Sequence, residues 1–197
     1  EWGPWHTIGP FDNKGGAGFD TEYPPEKGVV AFSASYTGMN NQDVSWKPQP
    51  GFTDGKDIDL LPHFSPNTDV AVYLARRVTA SEACKIRAIM GSDDTLTVWL
   101  NGQKCLSHNV YRPCQLGDEC VRLPLRKGEN TILLKVCQGS MGFAFAFQPT
   151  EDGPFTTESP EVKAQFDTLE AIRTGKRPSS RFAKPELTHR AESLIQG

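Results

Sequence analysis

The clearest pattern in the sequence is an alternation of apolar and polar positions over residues 95–100. The apolar positions are Leu96, Val98 and Leu100, and the positions that alternate with them are Thr95, Thr97 and Trp99. Successive side chains of a β-strand point to opposite faces of its sheet, so this period of two predicts a strand with one buried face.

A predicted turn follows this strand at Asn101-Gly102. The dipeptide favours a type I′ hairpin, because both central residues of that turn need a positive φ. A second extended run then leads to Cys105. In this register Val98 faces Cys105, which places Cys105 on the core side. Trp99 then faces Lys104 on the opposite side.

Other segments repeat the strand pattern along the chain, with turn residues about every ten positions. Extended runs are predicted at 2–8, 29–36, 44–48, 58–61, 69–79, 83–90, 120–125, 131–137 and 142–148. In the last run Phe143, Phe145 and Phe147 share one face. Many short strands with intervening turns are typical of an antiparallel β-sandwich or jelly roll. We therefore predict an all-β module over residues 1–150.

The character of the sequence changes after residue 150. Ser159 suits a helix N-cap, Pro160 the first helical position and Glu161 the first turn. We expect this helix to end at about residue 174, and a second short helix over 185–195. Residues 151–197 are too few to bury a core of their own, so they are predicted to be a helical extension or linker.

Composition and charge exclude several classes of function. The chain has 197 residues, of which 37% are hydrophobic, with 18 Gly and 15 Pro, and this favours loop-rich β structure. The net charge is −3, so the chain has no excess of basic residues that would indicate binding to nucleic acid. No apolar run approaches the length of a membrane span. The sequence begins at Glu1 without Met or a signal peptide, so we expect a mature or excised part of a larger, secreted or periplasmic protein.

Five cysteines are present, namely Cys84, Cys105, Cys114, Cys120 and Cys137. None lies in a CxxC pattern, which gives little support to zinc-ribbon or thioredoxin-like chemistry. Cys114 and Cys120 lie in a polar loop and could bridge to each other or to Cys105. The odd number leaves at least one thiol unpaired within the chain. Buried thiols are the alternative for Cys84 and Cys105.

A Gly-rich bend over residues 12–20 carries Asp12, Asn13 and Asp20. Calcium prefers oxygen ligands, and bends of this kind supply backbone carbonyls as well, so these three side chains are candidate ligands of a structural calcium ion. The spacing differs from that of an EF-hand. An Asx-rich turn without a metal is the alternative.

Residues 69–148 resemble the galactose-binding-like jelly rolls, which include the sugar-binding domain at the start of family 2 glycoside hydrolases. The matching residues are the strand before Gly91, Val98-Trp99-Leu100-Asn101-Gly102, and Lys127-Gly128-Glu129-Asn130 leading into Ile132-Leu133-Leu134-Lys135-Val136. The opening segment is similar to accessory modules of large secreted proteins from planctomycetes, through Trp5, Ile8-Gly9-Pro10-Phe11-Asp12-Asn13, Gly18-Phe19-Asp20 and Tyr23-Pro24-Pro25. These resemblances imply a β-sandwich, a fold that serves as lectin, spacer or docking module.

The turn Gly91-Ser92-Asp93-Asp94 resembles that of lectin domains of the protective-antigen type. In those domains two adjacent aspartates hold a calcium ion that in turn holds sugar hydroxyls. The resemblance therefore implies a ligand-binding role for Asp93 and Asp94. The alternative is that both aspartates cap a tight turn through hydrogen bonds to the backbone.

A carbohydrate site combines an aromatic platform for the apolar face of a pyranose with polar groups for its hydroxyls. The candidate residues for such a site are Trp46, Asp93, Asp94, Trp99, His108, Asn109, Tyr111 and Arg112. Packing against a neighbouring strand is the alternative role for Trp99.

We predict a non-catalytic carbohydrate-binding accessory module of a secreted polysaccharide-processing protein. Its expected partners are a polysaccharide or oligosaccharide and the neighbouring domains of the parent protein. A structural spacer or protein-interaction domain is the first alternative. A glycan-active enzyme is the second, although none of the histidines lies in a recognisable catalytic motif. No carboxylate pair can be assigned to catalysis from sequence, because its separation is a tertiary property.

Overall fold

The computed structural model of the protein describes residues 1–151. Its strands are β1 (Trp5–Asp12), β2 (Ser35–Thr37), β3 (Asp43–Ser45), β4 (Lys47–Gln49), β5 (Asp57–Asp59), β6 (Val70–Ala80), β7 (Cys84–Asp93), β8 (Leu96–Leu100), β9 (Gln103–His108), β10 (Glu119–Leu125), β11 (Gly128–Gln138) and β12 (Ala144–Glu151). Short 3₁₀ helices lie between them at Lys14–Gly16, Pro24–Glu26, Met39–Asn41 and Leu61–His63. Within this part of the chain, no helix has the length and apolarity needed to cross a membrane. The helices predicted over 159–174 and 185–195 lie outside the described residues.

Two antiparallel sheets form the body of the described chain. One has the strand order β4-β1-β6-β11-β8-β9, and the other has the order β10-β7-β12-β5. β2 and β3 pair with each other in a separate ribbon. The long central strands β6 and β11 pair along their whole length, from Val70 opposite Gln138 to Ala80 opposite Gly128. The predicted all-β sandwich is therefore confirmed.

The main core lies between these two sheets, where the period-two pattern placed it. Six residues of the alternating apolar pattern are buried in one cluster, namely Leu96, Val98, Leu100, Phe143, Phe145 and Phe147. Trp5 is 1% exposed and packs edge-to-face on Phe145 and Phe147, with ring centroids 5.4 Å and 5.2 Å apart. Interleaved aromatic rings of this kind fill the space between the sheets with few voids.

A second apolar cluster covers the outer face of the larger sheet. Tyr73, Trp99 and Leu133 contribute from the sheet, and Val30 and Trp46 contribute from the long β1–β6 connection. As a result, every residue of β8 is buried. The expectation of a single buried face for this strand is therefore wrong, because the β1–β6 connection covers the second face, which carries Thr97 and Trp99.

The predicted hairpin turn is present, with φ of 52° at Asn101 and 80° at Gly102. Trp99 pairs with Lys104 as predicted, but the register then shifts, and Val98 pairs with Leu106. Cys105 is consequently exposed. The prediction that Cys105 faces the core is wrong, because a β-bulge inserts one extra residue into β9 and reverses the face of the side chains beyond it.

All five cysteines, which lie within the described residues, are free thiols in the structure. Cys84 and Cys105 are exposed, so neither is the buried thiol considered from the sequence, whereas Cys137 is buried. The Cys114 thiol lies 3.9 Å from Oδ1 of Asp57. Burial, followed by the negative charge of Asp57, raises the pKa of Cys114 to about 12, which keeps this thiol protonated and unreactive at neutral pH.

Candidate functional site

Three connections meet at one end of the sandwich: the residues after β1, the β7–β8 turn and the β11–β12 turn. The Asn13 amide donates a hydrogen bond to the Asp69 carbonyl at 2.8 Å, and the Asp69 amide donates to the Gly139 carbonyl at 2.7 Å. The Gly139 amide in turn donates to Oδ2 of Asp94 at 3.2 Å. These contacts bring together side chains that are far apart in the sequence.

Asp93 and Asp94 form an adjacent pair of carboxylates in the β7–β8 turn. The peptide bond between them is cis, and Ser92 Oγ donates a hydrogen bond to the Asp94 carbonyl at 2.8 Å. Asp94 is 8% exposed. Burial, and then the negative charge of Asp94, raises the pKa of Asp93 to about 6. Because the two like charges repel, a bound cation would stabilise the ionised pair.

Two buried amide side chains lie in the connections that meet at this end. Asn13 is 3% exposed and donates Nδ2–H to the Gln138 carbonyl at 3.1 Å, whereas its Oδ1 has no hydrogen-bond partner. Gln138 is fully buried, donates Nε2–H to the Gly142 carbonyl and also has an unpartnered Oε1. A buried oxygen without a hydrogen-bond partner is costly, so a water molecule or a ligand that reaches either oxygen would be bound favourably.

Two exposed apolar side chains flank the same end. Tyr111 is 72% exposed and Met141 is 88% exposed. A β-carbon built on Gly139 would lie 3.6 Å from Cε1 of Tyr111 and 3.7 Å from Oδ2 of Asp94, so the ring and the carboxylate are neighbours across this glycine. Met141 is in the same β11–β12 turn, next to Gly142, where a β-carbon would overlap Oδ2 of Asp93. The acidic pair therefore has an apolar rim.

Arg112 is beside the site but is held by other groups. Its Nε lies 3.3 Å from Oδ2 of Asp118, and its Nη2 lies 2.9 Å from Oε1 of Glu119. Its guanidinium also donates to the Ser92 carbonyl and hydroxyl. His108 Nδ1 is 2.6 Å from the same Glu119 carboxylate oxygen. Arg112 and His108 thus fasten the 109–118 loop to β7 and β10, and Asn109 is exposed between them.

The two tryptophans considered as sugar platforms lie elsewhere. Trp46 is 7% exposed and Trp99 is 5% exposed, and both pack in the apolar cluster on the outer face of the larger sheet. Packing against neighbouring segments, the alternative considered for Trp99, describes both positions. Among the aromatic candidates, the structure therefore brings only Tyr111 to the acidic pair within the described residues.

The candidate calcium ligands of residues 12–20 lie in different environments. Asp12 is exposed, and its Oδ1 accepts a hydrogen bond from the Lys14 amide at 2.9 Å, which is an Asx turn. Asp20 is exposed further along the loop, whereas Asn13 is buried beside Gln138. Nowhere in residues 1–151 do three His, Cys, Asp or Glu side chains cluster as metal ligands. A cation at the acidic pair would need oxygen ligands besides the two carboxylates.

Sequence reasoning missed Gln138, Met141 and the two glycines at 139 and 142. Gln138 lies at the end of a strand that alternation predicts well, and only its polarity at a buried position marks it. The Gly-Ser-Met-Gly segment after it is an ordinary turn signal. Its role depends on contacts with Asp93 and Asp94, some 45 residues away.

No protein-family model matches this chain, and no curated protein matches it. Solved structures with some likeness include a beta-glucosidase from Kluyveromyces marxianus in complex with glucose, with 12% identity and a TM-score of 0.45. The match covers 85% of this chain and 18% of the glucosidase, so the chain spans less than a fifth of that protein's length.

Two isolated domains are also similar to this chain. The PA14 domain of the MpAFP antifreeze protein is 11% identical, with a TM-score of 0.45, over 78% of this chain and 84% of that one. The PA14 sugar-binding domain from an RTX adhesin is 13% identical, with a TM-score of 0.42, over 77% of this chain and 91% of that one. At such identity, the function of this chain has to be inferred from its own side chains.

Proposed function

We propose that the protein is a non-catalytic carbohydrate-binding module, and that it binds a glycan at the end of the sandwich formed by Asp93, Asp94 and Tyr111. The observation that carries the proposal is the exposed Tyr111 ring next to the buried Asp94 carboxylate, across Gly139. An aromatic face beside a cluster of oxygen acceptors is the combination that a pyranose needs, because its ring has an apolar face and its edge carries hydroxyls.

The donor set at this end fits a calcium ion. It consists of the adjacent carboxylates of Asp93 and Asp94, and carboxylate oxygens are ligands that calcium prefers. A bound calcium ion would neutralise the acidic pair and offer open coordination positions to sugar hydroxyls. The protein's own part is to hold the carboxylates in place, which the Gly139 amide does for Asp94.

The setting we infer is an accessory module of a secreted polysaccharide-processing protein. The described fold supports this setting in one respect, which is that the site is built from connections at one end of a rigid sandwich. A glycan chain can approach such an end without displacing the core, and loops on a rigid scaffold are where binding residues concentrate.

Affinity electrophoresis in gels that contain soluble polysaccharides tests the proposal. The protein is expected to be retarded by at least one polysaccharide in calcium and to migrate freely in a chelator. Asp94→Asn and Tyr111→Ala are expected to abolish retardation, since they remove a cation ligand and the aromatic platform. Asp43→Asn is the matched control, because Asp43 is exposed in the β2–β3 ribbon, away from the site.

Equal migration with and without calcium in every gel would overturn the proposal. Retardation that Tyr111→Ala leaves unchanged would place the glycan elsewhere on the surface. Thermal melting of each variant checks folding. Asn at position 94 can still accept the Gly139 hydrogen bond, and Tyr111 is too exposed to support the core.

A structural spacer or interaction domain is the second candidate. The observation that favours it is the burial of Trp46 and Trp99, which leaves Tyr111 without a second aromatic residue beside it among the described residues. A spacer predicts no retardation in any gel, and no change in calcium affinity when glycans are added.

A further inference from the structure

A cavity of about 390 Å³ lies at the other end of β8 from the acidic pair. Its lining includes Trp99, Leu133, Thr131, Val29, Glu26 and Arg126. Asp94 precedes β8 and Asn101 follows it, so the two ends are about 20 Å apart at the rise of an extended chain. This cavity is therefore separate from the site of the proposed function.

The walls of the cavity come from three parts of the chain. Trp99 and Leu133 are buried side chains on the outer face of the sheet. The Asn101-Gly102 turn closes one side and abuts the Gly28 carbonyl, which would be 4.0 Å from a β-carbon on Gly102. Val29 lies at the rim with 90% of its surface exposed. Of the apolar side chains in the lining, Val29 therefore offers the surface that a ligand can cover.

The two charged residues of the lining are not equivalent. Glu26 is neutralised, because Lys135 Nζ lies 2.7 Å from its Oε1 and the Tyr73 hydroxyl donates to the same oxygen. Arg126 donates Nε–H to the Glu129 carbonyl at 3.1 Å, and within residues 1–151 it forms no ion pair. The cavity thus presents one uncompensated guanidinium, which is a fork-shaped donor for a carboxylate.

We propose that this cavity binds a monosaccharide-sized carboxylate, such as a hexuronic acid, with the carboxylate on Arg126 and the ring against the exposed Val29 at the rim. The volume of about 390 Å³ is large enough for one pyranose ring. The ring edge has hydrogen-bonding groups within reach at Thr131 and at the hairpin turn. The site needs no metal ion.

Titration of the protein with D-glucuronate and with D-glucose, in the presence of a chelator, tests the proposal by NMR or calorimetry. The two sugars differ at C6, where one has a carboxylate and the other a hydroxymethyl group. Saturable binding of glucuronate is expected, with glucose at least about tenfold weaker, since a charge-assisted pair contributes about that much affinity. Equal binding of both sugars, or of neither, would overturn the proposal.

Matched variants locate the site. Arg126→Gln is expected to weaken glucuronate binding about tenfold, whereas Lys127→Gln, in the same exposed turn and outside the lining, is expected to change it less than twofold. Val29→Glu is expected to repel the carboxylate, and Val29→Gln is its uncharged counterpart. Wild-type affinity in Arg126→Gln would contradict the assignment. The chelator removes any calcium ion from the acidic pair. The glucuronate affinity measured in its presence is therefore independent of the proposed function.

Discussion

Lys135 Nζ and Glu26 Oε1 form an ion pair of 2.7 Å, and both side chains are almost fully buried, with 2% and 7% exposed. The same ammonium group donates to the Phe19 carbonyl at 3.1 Å and to the Thr21 carbonyl at 2.7 Å. Three acceptors thus satisfy all three N–H groups of one lysine. Because Lys135 belongs to β11 and its acceptors belong to the β1–β6 connection, the pair fastens that connection to the sheet.

Replacement of Lys135 by Met is therefore expected to destabilise the fold strongly. The change leaves the Glu26 carboxylate buried without its cation, and we expect the free energy of unfolding to fall by about 3–5 kcal/mol. Urea denaturation measures the loss. Adding Glu26→Gln to Lys135→Met should recover a large part of it, because no buried charge then remains unpaired. Strict additivity of the two single losses would contradict this account.

An exposed ion pair provides the comparison. Arg77 Nη1 lies 3.3 Å from Glu129 Oε2, with 49% and 56% of the two side chains exposed. Solvent screens this pair, so Glu129→Gln is expected to cost less than about 0.5 kcal/mol.

Gly142→Ala is expected to weaken calcium binding at Asp93 and Asp94 while the fold is retained. A β-carbon at this position would overlap Oδ2 of Asp93, and the flexible carboxylate would have to move. We expect weaker calcium binding by calorimetry with little change in melting temperature. Gly139→Ala is the matched control in the same turn, because its β-carbon meets Tyr111 and Asp94 at 3.6 Å and 3.7 Å, which are ordinary contacts. Equal effects of the two variants would argue against a displaced carboxylate.

The raised pKa of Asp93 predicts that the stability of the calcium-free protein falls as the pH rises, whereas the affinity for calcium increases. Between the ordinary carboxyl pKa of 3.8 and the folded value of about 6, the folded state holds a proton that the unfolded state has lost. Without a cation, this group therefore makes the protein less stable as the pH rises through that window. Calcium needs the ionised form, so its affinity should fall by up to about tenfold per pH unit below the folded pKa.

Chemical denaturation at several pH values, without calcium, measures the first response, and calcium titration measures the second. Asp93→Asn should flatten the stability profile over this window. A wild-type profile that rises with pH there, and that Asp93→Asn leaves unchanged, would show that Asp93 is not the group responsible.

Trp46→Ala should affect stability and leave ligand binding intact. Trp46 is 7% exposed in the outer cluster, and truncation of a buried tryptophan costs about 3–5 kcal/mol. Trp46→Phe should cost much less, since the indole Nε1 has no hydrogen-bond partner to lose. Denaturation measures both variants. Loss of glycan retardation in a folded Trp46→Phe protein would instead assign this residue to a binding surface.

Part of the candidate site was predictable from the sequence. Asp93 and Asp94 stand out because adjacent acids follow a strand and precede a hairpin, and Tyr111 lies in a loop of polar and aromatic residues. Trp46 and Trp99 carry the same aromatic signal, yet they are packed under the long β1–β6 connection. An aromatic side chain fits a core and a sugar site equally well, so residue type alone does not separate the two roles.

The sequence by itself determined the long central strands, the inward positions of Leu96, Val98 and Leu100, and the type I′ turn at Asn101-Gly102, because period-two alternation and positive φ are local properties of the chain. The run predicted over 29–36 is a strand only at Ser35–Thr37. The tertiary structure decided the bulge that turns Cys105 outwards, the segment that covers the second face of β8, and the meeting of Asn13, Asp94 and Gln138. The bulge is a register shift within one hairpin, whereas the meeting of Asn13, Asp94 and Gln138 depends on contacts between residues 45 to 125 positions apart. Contacts over such separations form only when both sheets are in place, and no local pattern encodes them.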